Sequence, residues 1–167
     1  VDDPGPAVPP RGAQVTLREI DRGNLREVLR LKVSPAQEGF VASNAVSIAQ
    51  AHFHPEAWFR AIYAGETPVG FAMLEDWTQH AEEAPEDWLR EPYIYLWRFM
   101  IDARYQSLGF GAQAMQALIA QARSRGARVM LLSFVPGAGS PEAFYRRCGF
   151  EATGEVSEGE HVMRLTL

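Results

Sequence analysis

The period of the apolar positions changes repeatedly along the chain, and each change marks an element. Between Gln14 and Ile20, the residues Val15, Leu17 and Ile20 give a first strand. Asp21 to Asn24 offers helix starts, Leu25, Val28, Leu29 and Leu31 keep helical spacing, and Ser34-Pro35 stops the run. Val41 to Phe53 predicts a second helix with Val46, Ile48 and Ala49 turned inward. Beyond Pro55 the period shortens. Ala57 to Ala64 reads as a strand, Gly65-Glu66-Thr67-Pro68 as a turn, and Val69 to Leu74 as the antiparallel partner. Glu75 to Glu91 is polar and acidic and reads as a loop. Tyr93 to Ile101 is the strongest strand, aromatic and β-branched, with Arg98 its one charge. A glycine-containing turn, Gln106 to Gly111, leads directly into a helix that carries Met115, Leu118, Ile119 and Ala122 on one face and ends at Gly126. Arg128 to Val135 is again a strand, Pro136 to Gly139 a loop, and Pro141 to Arg147 a short helix with proline in its first turn. Two strands close the chain, Phe150 to Val156 and His161 to Leu167.

The order β-α-α-β-β-β-α-β-α-β-β predicts an α/β (α+β) domain around a mixed sheet, antiparallel at the front, with a crossover helix in the middle. A length of 167 residues suits one domain. Val1 to Gln14 is rich in Pro and Gly and lacks the basic end and apolar run of a secretory signal. Residues 1–13 are therefore expected to form a flexible tail and residues 14–167 a single domain. No apolar run approaches the length of a membrane span. Cys148 is the single cysteine, so no internal disulfide forms, which fits a reducing compartment such as the cytoplasm. A net charge of −5 argues against a nucleic-acid partner and is compatible with a cationic substrate.

The glycine turn carries the chemistry. A strand stops, the turn leaves backbone N–H groups unpaired, and a helix start adds partial positive charge. Gly109 and Gly111 lack a Cβ, so an anion can approach the backbone. The alternative is a plain packing turn. Gly109-Phe110-Gly111-Ala112-Gln113-Ala114 also satisfies a loose dinucleotide fingerprint, but the next strand ends Ser133-Phe134-Val135 without the acid that would hold a ribose. No Gly-Lys-Ser/Thr follows, which excludes a P-loop.

Further on stands Ser140-Pro141-Glu142-Ala143-Phe144-Tyr145-Arg146-Arg147-Cys148-Gly149-Phe150. Together the two segments resemble the signatures of the GNAT superfamily of N-acetyltransferases. The acetyl-CoA pattern [R/Q]-x-x-G-x-[G/A] is matched by Gln106, Gly109 and Gly111. The later pattern is matched by Phe144-Tyr145, Arg147 and Gly149-Phe150. The resemblance spans about Val15 to Leu167. Within the superfamily the chain is most similar to bacterial spermine/spermidine acetyltransferases of the Blt type, through Phe40-Val41-Ala42-Ser43-Asn44, Tyr95 to Ile101 and Val135 to Pro141. It departs from many relatives in having Gly137 to Pro141 where they place an Asn against the pantetheine arm.

The resemblance implies a mostly antiparallel sheet of about seven strands with helices on both faces, and acetyl-CoA as cosubstrate without a metal. It implies a CoA site formed by Phe99, Met100, Ile101, Gln106, Ser107, Leu108, Gly109, Phe110, Gly111, Ser140 and Phe144. It makes Tyr145 the acid that protonates the leaving thiolate, and places an oxyanion donor in the backbone near Phe99 or Met100. The base is Glu75 or Asp76, unless both are solvated loop charges. The acids between Glu82 and Asp87 either keep the loop soluble or attract a polyamine. The expected acceptor is a small primary amine, polyamine-like first, and a homodimer is expected from relatives. A protein N-terminus or lysine is the alternative acceptor. A non-catalytic acyl-CoA-binding module is the third reading, and Tyr145 argues against it.

Other residues weigh less. His52 and His54 lack further metal ligands nearby in sequence and read as structural or surface residues. Cys148 reads as packing and not as a nucleophile. Tyr93, Tyr95 and Trp97 read as sheet packing, with Trp97 or Trp77 available to an acceptor pocket. Arg104 is either a CoA-phosphate contact or a surface turn residue.

Overall fold

A computed structural model of the chain describes residues 7–85 and 89–167. Seven strands form one sheet: β1 (Val15–Arg18), β2 (Ala57–Ala64), β3 (Thr67–Asp76), β4 (Tyr93–Ile101), β5 (Val129–Phe134), β6 (Glu151–Ser157) and β7 (Glu160–Thr166). Their order is β1-β2-β3-β4-β5-β7-β6, and every pairing is antiparallel except β4 with β5. That parallel pair requires a crossover, which α3 (Phe110–Ser124) supplies. Three shorter helices complete the fold: α1 (Leu25–Arg30), α2 (Asn44–Ala51) and α4 (Glu142–Arg147). No helix among the described residues is long and apolar enough to cross a membrane.

Successive strand residues point to opposite faces, and all six residues from Val69 to Leu74 on β3 are buried. Both faces of the sheet centre are therefore covered. The apolar stripe of α3 that the sequence predicts (Met115, Leu118, Ile119, Ala122) is fully inside, joined by Ala114 and Phe110. A second, smaller apolar cluster of Tyr93, Val129, Leu131 and Val162 is capped by Trp77 and Leu89 from the acidic segment after β3.

Four expectations change. The second helix starts at Asn44, not Val41; its buried residues are Asn44 and Ser47, Ile48 packs on the core as expected, and Val46 and Ala49 are exposed. The cause is polar. The Asn44 amide donates to the Val28 carbonyl (2.9 Å) at the end of α1, and the Ser47 hydroxyl donates to the Ser43 carbonyl (3.0 Å). Helix orientation follows the buried Asn44–Val28 bond instead of the apolar count. Glu75 and Asp76 belong to β3 and not to a loop. A short 3₁₀ turn, Ala81–Glu83, follows, and Asp87 lies outside the described residues. Finally, the segment before β1 touches the domain at two points: Pro9 is buried and Ala13 packs on the main core.

Candidate active site

Register along the central strands opens the site. On the β3 side, Met73 pairs with Arg98 but Leu74 pairs with Leu96, so Trp97 is an extra residue in β4. Such a bulge bends the strand. On the other side, β4 and β5 are paired only from Tyr93–Val129 to Leu96–Leu132, while β4 continues to Ile101 and β5 continues on β7 to Phe134. The two central strands part after Leu96 and Leu132, and a wedge opens between them.

Two chambers meet at this wedge. A groove of about 970 Å³ runs beside α3 and α4. A cavity of about 550 Å³ lies towards the β6–β7 hairpin and the end of β3. Phe40, Val41, Phe99 and Tyr145 line both and so mark the junction. Their charge differs sharply. Glu38, Glu75, Glu158 and Glu160 line the cavity, with Arg98 as its cation. Among the described residues no carboxylate lines the groove.

The groove is built on the glycine turn. Gly109 has φ +89° and precedes the first helical residue, Phe110, and Ser107 has φ +63°. A Cβ at Gly109 would meet no atom within 4 Å, so the glycine serves the backbone shape and leaves open space. It also offers no side chain to accept from the first-turn amides of α3, which leaves that positive end to a ligand. A Cβ at Gly111 would stand 3.4 Å from the Phe144 ring. The Gln106 amide donates to the Ile101 carbonyl and to Gln37 (both 2.9 Å), tying the turn to β4 and to the segment after α1. Asp102 is buried and accepts from the Lys32 amide (2.9 Å), the Arg104 amide (3.0 Å) and Arg104 Nε (2.8 Å). Burial alone would raise its carboxyl, but these donors outweigh it and hold it below the ordinary range.

Tyr145 sits on α4 with 7% of its surface accessible. Its ring meets Phe144 and Phe150 edge-on. No described residue hydrogen-bonds its hydroxyl. Burial, with Cys148, Tyr95 and Glu160 nearby, pushes the phenol far above its ordinary value, so it stays protonated and able to donate.

In the cavity, the Glu75 carboxyl is pushed up, chiefly by burial, against a weak bond from Trp77 Nε1 (3.4 Å). Asp76, one residue on, faces the other side of the sheet and accepts from the Thr78 hydroxyl (2.6 Å) and Arg125 (2.8 Å). Burial opposes these bonds but does not prevail, and Asp76 is held below its ordinary range. The Tyr95 hydroxyl donates to Ser133 Oγ (2.5 Å), and Ser133 donates to Glu160. Arg98 donates to Gln50 (3.1 Å) and to the Trp97 carbonyl (3.0 Å).

Of the CoA-site residues expected from sequence, Phe99, Met100, Ile101, Gln106, Ser107, Gly109, Gly111, Ser140 and Phe144 line the groove. Leu108 and Phe110 do not: both side chains pack into the core, leaving only their backbone on the turn. Glu75 enters the cavity and Asp76 does not, a division that the two-residue strand period would have shown. Trp97 lines the cavity, whereas Trp77 caps the smaller cluster. Arg104 is tied to Asp102 and does not line the groove. His54, Glu56 and Glu75 offer ligand atoms within 4.8 Å of one another, a grouping that needs Glu75 from β3 beside the two residues that are neighbours in sequence. Sequence reasoning missed Gln37, Asp102, Ser133 and Glu160. Only a β-bridge register could have brought the last two beside Tyr95, and none is written in local pattern.

Comparison with known proteins agrees with this geometry. The model of the acetyltransferase (GNAT) family matches residues 24–150. The spermine/spermidine N(1)-acetyltransferase of Bacillus subtilis (strain 168) is 28% identical over 155 residues, 89% of this chain and 96% of that protein. An acetyltransferase of Thermus thermophilus shares the fold at TM-score 0.69 and 17% identity, over 92% of this chain and 97% of that one. A Bacillus subtilis acetyltransferase solved in complex with CoA does so at TM-score 0.62 and 14% identity, over 93% and 99%. The fold, the glycine turn at the start of α3 and the family match agree: the chain belongs to the acetyltransferase (GNAT) family and is an acetyl-CoA-dependent N-acetyltransferase.

Proposed function

We propose that the chain acetylates a primary amine of a polycationic small molecule, of the spermidine or spermine class. The observation that carries this reading is the division of charge: four carboxylates line the acceptor cavity and, among the described residues, none lines the CoA groove. An ammonium chain gains from several carboxylates at once, whereas the CoA phosphates need a wall without them. The named activity of the Bacillus relative supports the same class.

Each group has a task. Acetyl-CoA lies in the groove with its diphosphate at the Ser107–Gly111 turn and its thioester at the junction. Glu75 takes a proton from the incoming ammonium, directly or through water; its raised pKa suits a base working near neutrality. The freed amine attacks the acetyl carbon, and the oxyanion is met by a backbone N–H of β4 near Phe99 or Met100. The tetrahedral species collapses, the C–S bond breaks, and the Tyr145 phenol gives its proton to the departing sulfur. Glu75 releases its proton to solvent, the acetylated nitrogen sheds its second proton, and an equivalent proton returns through solvent to the Tyr145 phenolate. The products are the acetamide and free CoA thiol.

The experiment is thiol release from acetyl-CoA with spermidine, spermine, a simple alkylamine and a peptide bearing a free N-terminus. Fastest turnover with the polyamines supports the reading. Preference for the peptide selects a protein acceptor instead, and tight acetyl-CoA binding without any turnover selects a binding module.

A further inference from the structure

The segment before β1 forms part of the groove wall. The Ala13 N–H donates to the Pro10 carbonyl (2.9 Å), closing a turn that carries Arg11 and Gly12. Pro9 is buried on one side of this turn and Ala13 packs on the core at the other. The Gln113 amide, in the first turn of α3, reaches back to the Ala13 carbonyl (3.5 Å). Arg11 is thereby presented to the groove from an anchored backbone.

Two cations line the groove, Arg11 and Arg147, and no acid among the described residues pairs with either. In a chain of net charge −5, a passage with free guanidinium groups and no described carboxylate is built for anions. CoA carries negative charge in two separate places, the diphosphate and the ribose 3′-phosphate. The backbone amides at the start of α3 suit the diphosphate. Arg11 is not on that turn. It shares the groove lining with Gln113, the residue that ties α3 to the segment before β1. Arg147 stands on α4, the helix that carries Tyr145 and the catalytic junction.

We propose that Arg11 binds the 3′-phosphate of CoA, so that the segment before β1 selects CoA over its 3′-dephosphorylated form. A guanidinium offers paired donors that match a phosphate, and the anchored turn leaves only one side chain to be ordered on binding.

The test is the affinity of the full chain for CoA and for 3′-dephospho-CoA, with no amine present, so the outcome does not depend on the acceptor. The native protein is expected to prefer CoA by about three- to tenfold, the scale of a solvent-accessible charge pair. Arg11→Gln abolishes that preference and leaves affinity for the dephosphorylated form unchanged. Arg11→Lys keeps part of it, Arg147→Gln keeps all of it, and added salt shrinks it in the native protein. Three results overturn the proposal: no preference in the native protein, the native preference in Arg11→Gln, or its loss in Arg147→Gln alone.

Discussion

Glu75 and Asp76 are neighbours at the end of β3, yet they lie on opposite faces of the sheet and are pushed in opposite directions. Glu75 lines the acid-lined cavity and its carboxyl is raised, chiefly by burial. Asp76 is half-buried against Arg125 and Thr78 and held low. In the proposed mechanism this gives a base that must cycle and an ion-pair partner that must not from consecutive residues.

Glu75→Gln and Asp76→Asn should therefore separate activity from stability. Glu75→Gln lowers turnover by about 100-fold or more, the scale of a lost general base. It also removes the acid limb of the pH–rate profile, which in the native enzyme rises as Glu75 ionises through its raised pKa. A raised carboxyl favours the folded state below its pKa and loses that contribution as pH rises, so Glu75→Gln melts no lower than native at neutral pH. Asp76→Asn has the opposite signature. A depressed carboxyl contributes stability above its unfolded pKa and loses it as pH falls. Turnover stays near native and the melting temperature drops by about 2–4 °C at pH 7, roughly 1 kcal/mol in a domain of this size, with the gap closing in acid. Melting curves and pH–rate profiles of both variants check the pair.

Tyr145→Phe removes one oxygen that no described residue bonds. The ring contacts with Phe144 and Phe150 remain, so melting temperature and CoA affinity are expected to be unchanged. Turnover falls by about 100-fold, and the loss shrinks for an acyl thioester with a more acidic leaving thiol, which needs its acid less. Equal losses across leaving groups would remove Tyr145 as the acid.

Gly109→Ala places a side chain at φ +89°, where L-residues are strained by about 1–2 kcal/mol. Its Cβ meets open space inside the groove, so the cost falls on the turn and on the ligand. The expected result is a raised KM for acetyl-CoA with little change in the KM for the amine, measured by varying each substrate in turn.

Asn44→Leu tests the polar orientation of α2. Leucine would satisfy the apolar pattern, but the Val28 carbonyl would lose the Asn44 amide in a buried site. The carbonyl still accepts from the Leu31 N–H (3.2 Å), so denaturant unfolding should show a loss of about 0.5–1.5 kcal/mol, the scale of one hydrogen bond.

That helix also shows where sequence pattern stops. Strand positions and the α3 stripe were legible because burial dictates period, and the site's glycine turn was legible because only certain residues allow its backbone. The orientation of α2 was not, because Asn44 faces inward to serve a carbonyl sixteen positions earlier. The Trp97 bulge exists only relative to β3, so its own strand carries no sign of it. Glu160 and Ser133 meet Tyr95 through pairings across β4, β5 and β7, and Arg11 reaches the groove by folding back beside α3. The opposite placement of Glu75 and Asp76 was available from strand period alone once β3 was extended to Asp76.

The division of charge between the two chambers is tested most directly by kcat/KM for spermidine relative to a simple alkylamine, in the native enzyme and in Glu158→Gln/Glu160→Gln. The predicted result is a strong preference for spermidine in the native enzyme that falls several-fold in the double variant, through KM and not kcat, while the KM for acetyl-CoA is unchanged. An equal kcat/KM for the two amines, or a preference untouched by neutralising both carboxylates, would contradict the acid-lined cavity as the acceptor site.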